Sequence, residues 1–141
     1  MRFEVEIEID RPPEAVFALL TDVARLPEWQ ATALSAEAEG ALAEGTRIRE
    51  ARRFLGREFR IVQEVTAYDP PHRFELRSVE GPLPLRVSHT LEPSGGGTHL
   101  DVVGEATPKG MLRFAAAGAA KAAEADFRKD LERLKQRLES R

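Results

Sequence analysis

The sequence predicts an α+β fold over a single domain, residues 1–141: a strongly curved, seven-stranded antiparallel sheet wrapped around a long C-terminal helix, with two short helices after the first strand. Three observations predict it. Residues 2–10 alternate strictly, with Phe3, Val5, Ile7 and Ile9 on one face and Arg2, Glu4, Glu6, Glu8 and Asp10 on the other, the pattern of a half-buried antiparallel strand. Strand-like segments then recur at short spacing up to residue 106. The chain closes with a helical stretch in which Phe127, Leu131, Leu134 and Leu138 share one face. A sheet and a helix that are each apolar on one side cover both sides by packing together.

Taken in order, Asp10-Arg11-Pro12-Pro13-Glu14 stops the first strand and opens a helix, because proline is tolerated in a first helical turn. Val16, Phe17, Leu19 and Leu20 give that helix its apolar stripe. A second short helix is expected over 22–29, capped by Thr21 or Asp22 and ended near Pro27. Six strands follow at 32–39, 46–55, 57–69, 73–80, 83–92 and 98–106, broken by glycine and proline turns. Their short links predict an up-and-down meander, in which alternate connections lie at one end of the sheet. The turn at Leu55-Gly56-Arg57, the loop Gly81-Pro82-Leu83-Pro84 and the link Pro108-Lys109-Gly110 should therefore ring one opening.

The long helix is expected over 108–140, and its middle carries almost nothing but alanine. With Ala123 at the centre of the buried stripe, Leu112, Ala116, Ala119, Ala120 and Phe127 fall on the same face, and Phe114 on the opposite one. Small side chains there either bring the helix close to the sheet or leave a volume. The wide end of a curved sheet stands off from its helix, which favours a cavity lined by the alanines.

Composition narrows the function. The chain has 141 residues, 42% hydrophobic and 32% charged, with a net charge of −3, so it offers no footprint for nucleic acid. No apolar run reaches the ~18–20 residues of a spanning helix. The charged, alternating start is unlike a signal peptide. There are no cysteines, which removes disulfide, thiolate and zinc–cysteine chemistry. A cytoplasmic protein without an integral membrane segment is expected, as a monomer or homodimer.

The opening Val5-x-Ile7-x-Ile9-x-Arg11-Pro12-Pro13-Glu14-x-Val16-Phe17-x-Leu19-Leu20-x-Asp22, followed by Pro27-x-Trp29, resembles the START/Bet v 1-like superfamily. Gly45-Thr46-Arg47-Ile48, Glu64-Val65-x-x-Tyr68-Asp69-Pro70-Pro71, Leu91-x-Pro93 and Gly97-Thr98-x-Leu100 extend the likeness over the whole chain, toward the bacterial polyketide cyclase/dehydrase-type group. The resemblance implies a helix-grip fold and a small hydrophobic ligand. Its members include carriers and cyclases without a shared catalytic motif, so the interior must be read directly.

Placing each strand's apolar members inside puts Thr46, Ile48, Glu50, Arg52 and Phe54 on the inner face, then Phe59, Ile61, Gln63, Val65 and Ala67. Phe74, Leu76 and Ser78 follow, with Leu83, Leu85, Val87, His89 and Leu91, and finally Thr98, Leu100, Val102 and Gly104. Glu50 and Arg52 either neutralise one another as a structural pair or orient the polar end of a ligand. His89 is either a hydrogen-bonded core histidine or a general acid/base oriented by Glu50. Trp29 either edges the cavity or anchors the two short helices. The candidate binding set is Trp29, Ile48, Glu50, Arg52, Phe59, Ile61, Gln63, Phe74, Leu76, Ser78, Leu85, Val87 and His89, with Leu112, Ala116, Ala119, Ala120 and Ala123 from the helix. His89, Glu50 and Arg52 are the catalytic candidates for the alternative, a cofactor-independent cyclase or dehydratase acting on a polyketide-like substrate. No two histidines have ligand spacing, so no metal site is expected, and no cofactor is implied.

Overall fold

The structure, a computed structural model, describes residues 1–81, 84–106 and 116–140. The strands are β1 (Arg2–Ile9), β2 (Ala33–Ala38), β3 (Arg47–Phe54), β4 (Arg57–Asp69), β5 (Arg73–Glu80), β6 (Leu85–Ser94) and β7 (Gly97–Ala106). They form one antiparallel sheet in the order β1-β7-β6-β5-β4-β3-β2, so β2 to β7 make the meander and β1 adds to its last strand. Helix α1 (Pro13–Leu20) and a 3-10 helix (Val23–Glu28) follow β1, and α2 (Ala116–Glu139) ends the fold. The expected helix start at 108–115, Leu112 and Phe114 within it, Leu83 and the link 108–110 lie outside the described residues.

Several local expectations need correction. Asp22 is the N-cap of the 3-10 helix but makes no side-chain capping bond, while the helix ends at Glu28, one residue after Pro27, as expected. Thr21 instead bonds back to the Phe17 carbonyl at 2.8 Å. On β4 a bulge between Val65 and Ala67 shifts the register, so Tyr68, not Ala67, stands opposite Phe74 on the inner face. Tyr68 then packs against Phe17 and Phe74 with ring centroids 5.8 and 6.3 Å apart.

The core lies between the inner face of the sheet, α1 and the C-terminal half of α2. Val5, Ile9, Val16, Ile48, Val65, Leu91, Leu100, Val102, Leu131 and Leu134 are fully buried there. Each such side chain contributes about 1.5–3 kcal/mol by leaving water. Helix α2 packs on β1 and α1, where Phe127 meets Phe3 at 4.7 Å between ring centroids. The Phe3 ring lies across Gly104 of β7, where an added Cβ would sit 2.1 Å from it.

The two ends of the grip differ. At the upper end the Asp10 amide donates to Glu139 Oε2 at 2.8 Å, and Arg11 donates to the Glu139 carbonyl at 2.9 Å, tying α2 to the link before α1. The lower end holds the β3–β4 turn, Gly81 at the end of β5, Pro84 before β6, and the end of β7. The β3–β4 turn is a two-residue hairpin with Leu55 at φ 53° and Gly56 at φ 75°. Positive φ at both central positions suits Gly, Asn or Asp, and a leucine there is strained by about 1–2 kcal/mol.

Candidate functional site

The register gathers the predicted residues into one patch across β3 to β6. Glu50 faces Ile61, Arg52 faces Phe59, and Ile48 faces Gln63. Gln63 in turn faces Ser78, and Val65 faces Leu76. Leu76 pairs with Val87, and Phe74 with His89. Exposure across this patch is graded. The upper rows, Val65, Phe74 and Leu91, are sealed. The lower rows, Phe59, Ile61, Leu76, Ser78 and Leu85, are half-buried although they point inward.

Helix α2 shows the same gradient. Leu131 and Leu134 are buried, while Phe127, Ala123 and Ala120 are half-buried. Ala119 is exposed, so the expectation that it faces the sheet is corrected: the inward stripe runs through 120, 123 and 127. Leu112 and the side chain of Ala116 lie outside the described residues. At the lower edge a cleft of about 660 Å³ is lined by the charged side chains Arg2, Arg77, Arg86 and Glu105 together with Met1, Ser78, Pro84, Leu85 and Ala106. A smaller cleft of about 320 Å³ lies between α1, Arg25 and the end of α2, and no sequence signal pointed to it.

Glu50 and Arg52 hold one another. The Arg52 Nε donates to Glu50 Oε1 at 2.6 Å, and the Gln63 amide donates to Glu50 Oε2 at 2.5 Å. The remaining guanidinium nitrogens of Arg52 donate to Thr32 Oγ1 at 2.9 Å and Gln30 Oε1 at 2.6 Å. Both carboxylate oxygens and all three guanidinium nitrogens are thereby engaged, which is what lets the pair persist with the Glu50 side chain 1% exposed. Gln30 and Thr32 lie in the link before β2, where strand parity gives no signal. Asp130 could have been read from α2, three residues after Phe127 on the same stripe. It accepts from the Ala31 amide at 3.1 Å and from Arg133 at 2.6 Å. Burial still pushes its carboxyl up, against both bonds and the Arg52 charge.

His89 is 6% exposed and stacks on Phe74 with ring centroids 5.7 Å apart. Its Nδ1 lies 2.9 Å from the Phe74 carbonyl oxygen. A carbonyl only accepts, so Nδ1 carries the proton and Nε2 presents a lone pair. Burial lowers the imidazole to about 4, outweighing the carbonyl bond, so the ring is neutral at pH 7. Its hydrogen bond goes to neither Glu50 nor Arg52. Nε2 makes no hydrogen bond among the described residues, yet it is not one of the sealed, unpartnered polar atoms, which are Trp29 Nε1, Thr66 Oγ1 and Asp101 Oδ1. Trp29 itself is buried in the core beside Leu26 and Ala33.

On the outer face, the carboxylates of Glu4, Glu6 and Asp101 lie within 4.8 Å of one another. Burial and then the neighbouring Glu4 push Asp101 up to about 6. His99, bonded to Glu6 and Glu8 at 3.1 Å each, is raised by those two carboxylates.

A family model described as polyketide cyclase / dehydrase and lipid transport matches residues 1–139. The chain belongs to this family. Within reach of it is an uncharacterised protein of Mycobacterium tuberculosis, 28% identical over 132 residues, covering 90% of this chain and 92% of the relative. The crystal structure of TTHA0849 from Thermus thermophilus is similar with a TM-score of 0.84 at 21% identity, covering 99% of this chain and 98% of that one. The di-domain ARO/CYC BexL from the BE-7585A biosynthetic pathway is similar with a TM-score of 0.81 at 19% identity, covering 99% of this chain and 46% of BexL. At these identities the structural likenesses establish the helix-grip fold that this member of the polyketide cyclase / dehydrase and lipid transport family shares. No helix among its described residues is long and apolar enough to cross a membrane.

Proposed function

We propose that the protein binds a small, uncharged hydrophobic molecule between the inner face of β3–β6 and the alanine stripe of α2, admitted at the lower end. The observation that carries this reading is the shared gradient of exposure: apolar side chains aimed inward become accessible toward the same end on both the sheet and the helix. Ligand sites are concave, mostly apolar and dotted with a few polar groups, and this patch has that composition. Glu50 and Arg52, the charges on the inner face of β3, are spent on each other and on Gln63, Thr32 and Gln30, so neither is free to pair with a charged ligand. The family covers both lipid transport and cyclase chemistry. A proton-transfer role would need His89 beside a charged partner with a pKa near neutrality. Its bond to Phe74 and its low pKa favour binding instead.

The test is titration with the neutral fluorescent probe N-phenyl-1-naphthylamine. Wild type should enhance its emission saturably, and Ala123→Leu, which fills the stripe, should weaken binding by about tenfold with the fold intact by circular dichroism. No enhancement with wild type, or an unchanged affinity in Ala123→Leu, would overturn the reading.

A further inference from the structure

The large hydrophobic side chains that stand exposed among the described residues are Leu34 at 44%, Phe54 at 50% and Leu55 at 86%. All three belong to one corner, where β2, β3 and β4 meet at the lower end. Leu34 is the extra residue of the bulge between Ala33 and Ser35. Phe54 and Leu55 form the tip of the β3–β4 hairpin, with Phe54 opposite Arg57. Leu55 occupies a left-handed position (φ 53°) that a small polar residue fills without strain, and it packs on little there. The fold gains nothing from this leucine.

Charge follows the same hairpin. From Arg47 to Arg60 the chain holds six arginines, of which Arg52 is paired with Glu50 and Arg49 with Glu39, while Arg53, Arg57 and Arg60 lie toward the tip. Arg53 flanks the tip and reaches Glu58 only at 3.8 Å, with both side chains largely exposed. Arg57 lies over the Phe59 ring at 5.8 Å, and neither it nor Arg60 has an ion-pair partner among the described residues. A convex apolar tip collared by long basic side chains suits a soft, negatively charged interface, where leucine and phenylalanine enter the acyl boundary and arginines stay at the headgroups. A flat protein partner would leave such a tip badly matched.

We infer that the β3–β4 hairpin, through Phe54, Leu55 and the arginines beside them, docks this protein on the surface of an anionic lipid bilayer. The inference goes beyond the ligand-binding reading and does not depend on it. Docking by this corner sets the lower end of the grip against the bilayer.

Because the chain has no cysteine, a single introduced thiol reports one place. Leu55→Cys at the tip and Ser94→Cys in the hairpin at the opposite end are each labelled with an environment-sensitive fluorophore. They are then mixed with vesicles of phosphatidylcholine alone or with phosphatidylglycerol. The tip label should shift to the blue with anionic vesicles only, and the Ser94 label should stay unchanged. Flotation of unlabelled protein should show Leu55→Asn binding anionic vesicles about tenfold more weakly than wild type. Arg57→Gln should lose about fivefold, the equivalent of ~1 kcal/mol per basic residue near such a surface. No shift with anionic vesicles, an equal shift at both labels, or a tip shift that follows protein concentration without lipid would overturn the inference, the last in favour of a second copy of the chain. Loss of vesicle binding with probe titration intact refutes docking alone, and the converse refutes only the ligand reading.

Discussion

At the scale of single residues, the inner charges decide how the interior is used. Glu50 and Arg52 stand two apart on β3, so alternation alone places them on one face, and that much is legible in the sequence. Whether they face each other or a ligand is not legible, because the groups that complete their shell, Gln30, Thr32 and Gln63, come from other segments. Removing one member of a buried pair strands the other, at a cost of about 3–5 kcal/mol, whereas replacing both with apolar residues of similar volume is often neutral. Glu50→Leu should therefore lower stability in urea unfolding by about 3 kcal/mol, discounted for Arg52 being 19% exposed. The double variant Glu50→Leu, Arg52→Met should recover most of that loss. If the double variant is less stable than the single one, the pair contributes net stability and the view of it as a compensated structural unit is wrong.

At the scale of elements, the strands are legible because strict alternation and turn residues mark each one, and the sheet order then follows from short links. The bulge at Val65–Ala67 is not legible, since Val65, Ala67 and Tyr68 all tolerate an inner position and an inserted residue leaves no break in such a run. The alanine stripe predicts an inward face of α2 but misplaces Ala119, because a face read from side-chain size is uncertain where most positions are alanine. What fixes α2 against β1 is a contact of three residues, Phe3, Phe127 and Gly104. The missing side chain at 104 is the space the Phe3 ring occupies, so overpacking there should loosen the helix. Gly104→Ala is expected to destabilise the protein by roughly 1–3 kcal/mol, and the same change in a Phe3→Leu background should cost clearly less. Equal penalties in both backgrounds, measured by chemical denaturation, would show that the ring is not what requires the glycine.

At the scale of the whole molecule, the two faces of the sheet respond to acid with opposite signs. On the inner face His89 falls from 6.5 to about 4, so between those values the unfolded chain binds the proton more readily. Its contribution is complete above about pH 6.5 and is lost as pH falls toward 4, amounting to about 3 kcal/mol at most. On the outer face Asp101 rises from 3.8 to about 6, so the folded state there binds the proton more readily, and stability falls as pH rises through that window. His99, also raised, adds to the same outer-face trend, losing its contribution as pH rises through its folded value. The acid response of the wild type is then a partial cancellation. Asp101→Asn should be more stable than wild type at pH 7 by about 1–2 kcal/mol after allowance for solvent screening, and should lose stability more steeply on acidification from pH 6.5 to 4. The difference between His89→Phe and wild type should run the other way, because that variant lacks the contribution that acid takes away. The side chains occupy opposite faces of the sheet, so the double variant should follow the sum of the two single differences. Urea midpoints collected across pH 4 to 7.5 for the four proteins decide it, since all other carboxylates cancel in the differences. Parallel pH profiles for wild type and Asp101→Asn would remove the outer cluster from the account, and a flat difference for His89→Phe would mean that the imidazole keeps its proton inside the grip.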